Sequence, residues 1–373
     1  MKDWKFVELG NVLNYEQPTK YIVESTNYDS KFATPVLTAG QSFILGYTDE
    51  TEGIFKDYPV IIFDDFTTAF KYVDFPFKVK SSAMKILKEE KGVADLRFLF
   101  YCMQTIDFIP EQHKRYWISK YSNFQIPLPP LEDQKRIAAI LDAADLHRQK
   151  TKALLDKYDE LAQALFLDMF GDTFINNKKW ETVQLYEICS DIIDCPHSTP
   201  TYVNEVTEYP CIRTTEIKNG KIEWSKMKFL DYENYKKRTK RFIPNSGDIV
   251  YGREGSYGDA ILIPPKIKMS LGQRVVLFRP KNEIVKSQFL LAVIRSKGVY
   301  KQAQKVNAGS TVGHVNIKDI KKFEIILPPI DLQNLYSENS IMIESQICQA
   351  EKSLQKAEEL FQSLLQKAFK GEL

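Results

Sequence analysis

An eleven-residue segment occurs twice in this chain, and the duplication limits the folds open to it. FQIPLPPLEDQ at residues 124–134 returns as FEIILPPIDLQ at residues 323–333. Self-similarity at such a distance indicates a repeated unit rather than one continuous core. Shorter matches precede the repeat in the same order in both halves: residues 4–9 with 180–185, 61–63 with 249–251, 81–87 with 270–276, and 98–99 with 289–290. The chain is therefore predicted to contain two related modules.

Each copy of the repeat leads into a long stretch without glycine or proline. The first stretch ends at Gly171 and the second at Gly371. Pro-Pro before such a stretch and glycine after it are start and stop signals of a helix. At ~1.5 Å per residue, about 39 residues form a rod of roughly 58 Å, longer than one module. The predicted segments are a module over 1–131, a helix over 132–171, a module over 172–330 and a helix over 331–373.

Both helices carry an apolar seam at three- and four-residue spacing, which is typical of a coiled coil. The seam predicts that the two helices pack antiparallel on each other as a pseudo-twofold pair. Arg148 and Thr151 interrupt the seam in the first helix, and this interruption is a candidate docking surface for a partner. The alternative is that each helix packs on its own module. The residues predicted to form the seam or to dock partners are Arg148, Leu155, Tyr158, Leu165, Ile347, Leu354, Phe361 and Leu364.

The sequence of each module predicts an α+β fold. Short β-rich apolar runs such as VIIF, IVYG and RVVLF are bounded by Gly, Pro or Asp. Residues 94–105 and 287–304 have the composition of helices. Alternation of such elements with turns indicates mixed modules rather than helical bundles.

Basic and aromatic residues are interleaved in the loops of both modules. Such segments are DDFTTAFK (64–71), HKRYW (113–117), YENYKKRTKRF (232–242), GREGSYG (252–258) and GSTVGHVN (309–316). Arg and Lys on loops suit phosphates and guanine edges. A basic run can equally be a solvated surface, but its place in a divergent loop of a repeated scaffold favours DNA contact. The predicted DNA-binding residues are Lys71, Lys85, Lys114, Arg115, Lys236, Lys237, Arg238, Lys240, Arg241, Arg253, Tyr257 and Arg274.

The charge totals do not by themselves indicate nucleic acid. The chain has 51 basic and 49 acidic residues and a net charge of +2, so DNA-binding charge would have to be clustered. No apolar run of about 18 residues predicts a membrane span. The N-terminus lacks an apolar signal core, and five scattered cysteines indicate reduced thiols and a cytoplasmic protein.

Catalytic motifs are weak or missing. The Pro-Pro pairs lack the Asn or Asp that amino-group base methyltransferases place before them, and no phosphate-binding loop is present. Glu216 and Lys218, after two aspartates, are a faint match to an Mg²⁺-dependent nuclease. Cys195 and His197 lack a second pair at ligand spacing and are interpreted as a structural cysteine and a surface histidine.

These features resemble the specificity subunit of type I restriction-modification enzymes. The resemblance rests on Leu-Pro-Pro-x-x-x-Gln seen twice, W-x-x-V-x-L module starts and Gly-Asp-Ile-Val at residues 247–250. The C-terminal AFKGEL and its counterpart MFGD at residues 169–172 extend it over essentially the whole chain.

The resemblance implies target recognition domains that each read half of an interrupted double-stranded DNA site, with the helices as a spacer. It implies a non-catalytic subunit of a prokaryotic defence system that binds no cofactor and no metal itself. Its partners would be two methyltransferase subunits using S-adenosylmethionine and restriction (motor-nuclease) subunits using ATP and Mg²⁺. Two alternatives are a stand-alone nuclease using Glu216 and Lys218, and a scaffold whose modules bind protein or glycan.

Overall fold

The computed structural model describes residues 4–38, 40, 42–111, 114–255, 257–306 and 313–373. The chain divides into two structural units. Unit 1 comprises residues 1–153 with 351–373, and unit 2 comprises residues 154–350. This division falls within the long helices, whereas the sequence predicted a division at their ends. The four-segment division remains a prediction.

Unit 1 is an α+β module built on two main sheets. Its four-stranded antiparallel sheet has the order β2-β8-β5-β6, its three-stranded sheet has the order β4-β3-β7, and β1 pairs with β9. The bounds are β1 Lys5–Glu8, β2 Leu13–Glu16, β3 Thr34–Leu37, β4 Ile44–Thr48, β5 Val60–Asp64, β6 Phe70–Val73, β7 Lys78–Val79, β8 Met84–Glu89, α1 Leu96–Met103 and β9 Gln125–Leu128.

Unit 2 repeats this topology with insertions. Its sheets have the orders β11-β19-β16-β17 and β15-β12-β18, β10 pairs with β20, and β13 pairs with β14. The prediction of two related α+β modules is therefore confirmed. The bounds are β10 Thr182–Gln184, α3 Leu185–Ile188, β11 Cys189–Asp194, β12 Pro210–Ile212, β13 Ile217–Lys218, β14 Lys221–Ile222, β15 Lys228–Phe229, α4 Tyr232–Arg238, β16 Ile249–Gly252, β17 Ala260–Leu262, β18 Ser270–Leu271, β19 Val275–Pro280, α5 Ser287–Ile294, α6 Lys297–Val306, α7 Ile317–Ile320 and β20 Glu324–Ile326.

The central strand β5 is apolar throughout because both of its faces are covered. Ile61 and Phe63 belong to the core that contains α1, and Val60 and Ile62 belong to the core shared with the three-stranded sheet. Strand β16 divides its side chains between two cores in the same way. Strands buried on both faces have continuous apolar sequences, which explains the runs VIIF and IVYG.

The register of the sheets corrects one of the repeat matches. Ile61 pairs with Leu87 in unit 1, and Ile249 pairs with Phe278 in unit 2. Because Ile61 matches Ile249, Leu87 is equivalent to Phe278. The match predicted for the segments that lead into β8 and β19 is therefore out by two residues. A two-residue slip preserves the alternation of a strand, so the apolar pattern could not distinguish the registers.

Two 40-residue helices follow the modules: α2 covers Leu131–Phe170 and α8 covers Ile330–Phe369. Each helix contributes one part to unit 1 and the other part to unit 2. Among the described residues, no helix combines the length and apolarity needed to cross a membrane.

Within unit 1 the two helix segments are antiparallel, as predicted. Arg136, near the start of α2, donates a hydrogen bond to a main-chain oxygen of Leu373 at 3.2 Å. Further along α2, the guanidinium of Arg148 lies 4.5 Å from the ring centroid of Phe361. The alternative packing is also partly right, because Ile137 at the start of α2 lies in the core of its own module.

The polar interruptions of the seam are accommodated within α2. The Thr151 side chain is buried, and its hydroxyl donates to the carbonyl of His147 at 2.9 Å. Arg148 pairs with Asp145 while its guanidinium covers Phe361. Phe361 is buried, and the other predicted seam residues are half-buried: Arg148, Leu155, Tyr158, Leu165, Ile347, Leu354 and Leu364.

The glutamine of each Leu-Pro-Pro-x-x-x-Gln element joins a long helix to its module. The fully buried Gln134 amide donates to the carbonyls of Pro129 at 2.8 Å and Val93 at 3.1 Å. Its oxygen accepts from the amide of Asp95, the N-cap of α1, at 2.9 Å. Gln333 repeats the arrangement in unit 2 with Pro328, Ile284 and Lys286. The motif therefore fixes where each long helix starts.

Candidate nucleic-acid interface

Three loops lie side by side at one end of the four-stranded sheet in unit 1, and we call them the loop edge of unit 1. The amide of Asp65 donates to the carbonyl of Ala83 at 2.9 Å. The amide of Tyr116 donates to the carbonyl of Asp65 at 2.8 Å. The loops are residues 64–68 after β5, 81–83 before β8, and 114–117.

The same three loops meet in unit 2, and we call them the loop edge of unit 2. The amide of Arg253 donates to the carbonyl of Arg274 at 3.0 Å, and the amide of Val315 donates to the carbonyl of Arg253 at 2.9 Å. These bonds make Arg253, Arg274 and Val315 the equivalents of Asp65, Ala83 and Tyr116. The loops are residues 253–255 with 257–258 after β16, 272–274 before β19, and 313–316.

Three predicted DNA-binding residues of unit 1 are exposed. Lys114 and Arg115 lie in the third loop, and Lys71 lies on β6, the strand that follows the first loop. In the first loop, the Asp64 carboxylate accepts hydrogen bonds from the amides of Phe66 at 2.8 Å and Thr67 at 3.0 Å. The loop edge of unit 1 therefore has a hydrogen-bonded backbone with exposed cationic side chains next to it.

Lys85 is corrected by the structure, because it lies inside the module. Its side chain is 1% exposed, and its ammonium group is 3.3 Å from the Asp65 carboxylate. The same carboxylate accepts from the amides of Tyr116 at 3.1 Å and Trp117 at 2.8 Å. The ion pair is satisfied by these bonds, as buried charges require. Lys85 therefore supports the loop edge from within and does not reach a phosphate.

Arg253 is also less accessible than its sequence context indicated. The residue is 7% exposed, and its Nη2 is 3.4 Å from Asp194 Oδ1. Among the described residues, Arg253 Nε and Asp194 Oδ1 are buried without a hydrogen-bond partner. An incompletely satisfied buried pair costs free energy. In this conformation Arg253 braces the loop edge and does not present its guanidinium to DNA.

The first loop of unit 2 is fixed by tyrosine stacking. The rings of Tyr257 and Tyr300 are 5.7 Å apart at 13°. Gly258 has φ +99° and lies so close to Tyr300 that a Cβ there would be 2.7 Å from the ring. Tyr257 is half-buried, so one part of its side chain faces Tyr300 and the rest stays accessible.

Arg274 is the exposed cation of this loop edge. Its side chain is 63% exposed, and its Nε is 3.1 Å from Glu254 Oε2. His314 from the third loop is 3.0 Å from the other oxygen of Glu254. The three loops thus bring two donors and one carboxylate to one place.

The basic run of unit 2 forms the end of helix α4 and the residues after it. Asp231 caps the helix by accepting from the amide of Asn234. Lys236, Lys237 and Arg238 lie in the last turn, where the helix dipole favours them. The exposed members are Lys236, Lys237, Lys240 and Arg241.

Arg238 differs from its neighbours in the basic run. Its guanidinium donates to the carbonyls of Leu271, of Ser198 at 2.9 Å and of Pro196 at 3.1 Å. These bonds hold α4 against residues 196–198 and the strand before the second loop. Arg238 is half-buried and positions the exposed cations, and its contact with DNA stays a prediction.

Glu216 does not support the nuclease alternative. The residue is 0% exposed, and it accepts from the backbone amide of Arg213 at 2.7 Å and from its Nε at 3.1 Å. This hydrogen bonding raises the pKa of Arg213. Lys218 points to Glu223 at 3.8 Å instead. Within the described residues, no group of three His, Cys, Asp or Glu could hold a metal ion.

The remaining sequence assignments concern Cys195, His197 and three loop segments. Cys195 is buried, and the His197 side chain is 80% exposed and lies 3.3 Å from Asp194. His113 of the HKRYW segment, Ser256 of GREGSYG and residues 309–312 of GSTVGHVN lie outside the described residues.

Sequence reasoning missed Glu254 and His314 as members of the candidate site. Both lie within segments that the sequence analysis singled out. Their importance comes from contacts between loops that are about 60 positions apart in the chain, such as the contact of Arg253 with His314 at a separation of 61. Gln273, whose amide donates to Thr199 at 3.3 Å, was missed for the same reason. A correct β8/β19 register would have placed Gln273 and Arg274 beside the first loop.

Comparisons with known proteins point to one family. The family model described as type I restriction modification DNA specificity domain matches residues 1–156 and 177–338. The type I restriction enzyme EcoR124I/EcoR124II specificity subunit of Escherichia coli is 30% identical over 358 residues, covering 88% of this chain and 84% of the relative. The MjaVIII specificity subunit of Methanocaldococcus jannaschii is 24% identical over 376 residues, covering 93% and 87%.

A solved structure shows the same fold. The type I restriction-modification S subunit from M. genitalium has a TM-score of 0.69 at 14% identity, with 98% of this chain and 96% of that chain covered. At such low identity the agreement concerns the fold.

Proposed function

Because this chain belongs to the type I restriction modification DNA specificity family, we propose that each of its modules reads one half of an interrupted double-stranded DNA site through its loop edge. As a specificity subunit, the chain recognises DNA as part of a complex. It is not catalytic, since the chemistry of such systems lies in partner subunits.

The observation that carries this proposal is the shared geometry of the two loop edges. The same backbone hydrogen bonds join three loops in each unit, while the side chains at accessible equivalent places differ, as Ala83 and Arg274 do. A common scaffold with different polar groups suits two readers of different base sequences, because base edges are distinguished by donors and acceptors.

The long helices are proposed to set the distance between the half-sites and to dock two methyltransferase subunits. Apolar side chains remain exposed on α2, including Leu154 at 45% and Leu161 at 49%. In unit 2 a groove of about 690 Å³ lies beside the helices and is lined by Leu165, Asp168, Met169, Lys178, Trp180, Leu332, Leu335 and Asn339. Exposed apolar surface of this kind suits protein partners.

The partners of the proposed complex would supply its cofactors. Methyltransferase subunits would use S-adenosylmethionine, and restriction subunits would use ATP and Mg²⁺, in the cytoplasm where the DNA is. This chain would contribute recognition without a cofactor of its own.

Exchange of one module tests the proposal. Residues 1–130 would be replaced by the corresponding module of another specificity subunit, and the complex expressed with its methyltransferase partners. Sequencing of methylated DNA should show a change in one half-site, with the other half-site and the gap retained. An unchanged methylated sequence would contradict the proposal.

Docking on the helices has a separate test. Leu161→Asp should abolish co-purification of the methyltransferase subunits because it places a charge on an exposed apolar face. Gln163→Asp, an exposed change on the same helix, serves as the matched control. Equal co-purification of both variants would rule out docking at this face.

Binding of protein or glycan by the modules is the remaining alternative. Contacts with phosphates release counterions, so DNA affinity should fall steeply as salt concentration rises. A DNA affinity independent of salt would favour the scaffold function.

A further inference from the structure

Glu254 lies between polar side chains of the two neighbouring loops in unit 2. Its Oε1 is 3.0 Å from His314 Nδ1, and its Oε2 is 3.1 Å from Arg274 Nε. The Glu254 side chain is 23% exposed, against 63% for Arg274. Both carboxylate oxygens are engaged, and the more exposed partner is the arginine.

The backbone around this carboxylate is fixed as well. The amide of Gly255 donates to the carbonyl of Gly313 at 3.0 Å, next to a β-bridge between Glu254 and His314. Arg274 has φ +66°, a conformation that is uncommon for a residue with a side chain. Its carbonyl nevertheless accepts from Arg253, so the position is held by the loop edge.

Among the described residues, the ion pair with Glu254 leaves one side of the Arg274 guanidinium for a ligand. Glu254 engages Nε, and the Nη1 and Nη2 edge carries parallel donors. Guanine presents the matching acceptors O6 and N7 in the major groove. The planar guanidinium holds its two donors in a rigid fork, whereas the ammonium group of lysine is a point charge on a flexible stem. A carboxylate near DNA repels phosphates, so Glu254 would not raise the affinity for DNA. Its place at this edge is explained instead by its orientation of the Arg274 and His314 side chains.

We propose that Arg274 selects a guanine in the half-site read by unit 2 and that Glu254 is the positioning residue that orients it. This inference rests on the proposed function. The equivalents in unit 1 are Phe66 for Glu254 and Ala83 for Arg274, so unit 1 lacks the pair. Arg115 is the equivalent of His314 and is, with Lys114, one of two exposed cations in the third loop of unit 1. The guanine contact assigned to Arg274 therefore belongs to one half-site alone.

The test uses the complex that co-purifies with this chain and a duplex library with two randomised half-sites. Bound duplexes are sequenced, and each half-site is analysed separately. Arg274→Ala should lower the preference for one guanine in one half-site by roughly 5- to 100-fold. Arg274→Lys should not restore it. Glu254→Gln should weaken the same preference without weakening total DNA binding.

Arg115→Ala provides the matched control, because it should alter the other half-site only. The inference is overturned if Arg274→Ala leaves both half-sites unchanged, or weakens both equally, since equal weakening indicates a role in folding or general affinity. A wild-type complex that enriches no two-part sequence would instead contradict the proposed function.

Discussion

At the scale of single residues, the two modules share their buried amides and differ in their buried charges. Gln134 and Gln333 hold equivalent carbonyls and an equivalent helix N-cap. Beneath the loop edges, however, Asp65 pairs with Lys85 in unit 1, whereas in unit 2 the equivalent of Asp65 is Arg253. The amides fix the frame of each module, and the charges brace loops whose chemistry has diverged.

Replacement of the buried glutamine should destabilise unit 1. Gln134→Ala leaves the Asp95 amide and two carbonyls without their partner. Because an unsatisfied buried polar group costs ~1–3 kcal/mol, we expect the free energy of unfolding to fall by about 2–4 kcal/mol. Denaturant unfolding measures this, with the exposed Gln163→Ala on the same helix as control. Equal effects of the two substitutions would show that the buried amide has no special role.

Cysteine ionisation should make the fold sensitive to alkali. Burial raises the pKa of Cys102 from 9.0 to about 12, and burial likewise raises the pKa of Cys189 to about 12. The folded state keeps these thiols neutral while the unfolded chain ionises them, so their contribution is complete below pH 9 and is lost as pH rises towards 12.

Two measurements check this expectation. The free energy of unfolding should decline above about pH 9, and Cys102→Ala should reduce the slope of that decline. In the native protein at about pH 8, alkylation followed by mass spectrometry should modify the exposed Cys348 well before the buried Cys102 and Cys189. Equal rates at all three sites would contradict the burial argument.

At the scale of elements, the long helices stabilise unit 1 through contacts far apart in sequence. Phe361 on α8 is 1% exposed and packs against Arg148 on α2 and Tyr101 on α1, the latter at 6.0 Å between ring centroids. Arg97 and Tyr101 in turn bind Asp142 on α2, both at 2.6 Å. One aromatic ring thus lies where three helices meet.

Removal of this ring should show its contribution. Phe361→Ala should reduce the free energy of unfolding by about 3–5 kcal/mol, because it leaves a cavity among packed side chains. Circular dichroism during denaturation provides the measurement. Leu360→Ala, one residue earlier and 50% exposed, should have little effect. Similar losses for both would mean that the seam is not packed here.

The first loop of unit 2 depends on glycine at position 258. Gly258→Ala puts a Cβ 2.7 Å from the Tyr300 ring at a φ of +99°, so the loop must shift. Gly255 has φ +71°, and a Cβ added there has no described atom within 4 Å. Gly255→Ala therefore introduces backbone strain without a steric clash. Library selection should show weaker preference in the unit 2 half-site for Gly258→Ala than for Gly255→Ala. The reverse order would contradict the role of the tyrosine contact.

The sequence predicts elements better than it predicts the candidate site. The repeat and the helix signals lie close together in the chain, so α2 and α8 could be placed from local pattern alone. Lys85 resembled a surface cation because its partner Asp65 lies in another part of the sheet. Arg238 belonged to a basic run that gave no indication of the carbonyls it binds. Burial of charges depends on tertiary contacts, which single-sequence periodicity does not contain.

At the scale of the whole molecule, a net charge of +2 hides a clustered distribution. The exposed cations at the end of α4 lie next to residues 196–198 through Arg238, and Gln273 in the second loop contacts Thr199. The basic cluster therefore adjoins the loop edge of unit 2. Charge placed there can neutralise phosphates without making the chain strongly basic.

Neutralisation of this cluster should weaken DNA binding without changing the sequence that is preferred. With Lys236, Lys237, Lys240 and Arg241 changed to Gln, the slope of log affinity against log salt should decrease by about 0.9 for each phosphate that the cluster no longer neutralises. The control changes four lysines that are exposed on the long helices to Gln: Lys150, Lys152, Lys352 and Lys356. An equal slope change in the control would show that net charge, rather than its position, controls binding.

The division of the helices also determines the order in which the two units can be completed during translation. Unit 2 is one uninterrupted stretch, residues 154–350, whereas unit 1 needs residues 351–373 in addition to 1–153. Phe361, Leu365 and Ala368 in the core of unit 1 are therefore translated after all of unit 2. Unit 1 therefore cannot complete its core until this last segment has been synthesised. Unit 2 has all of its residues before that segment is synthesised.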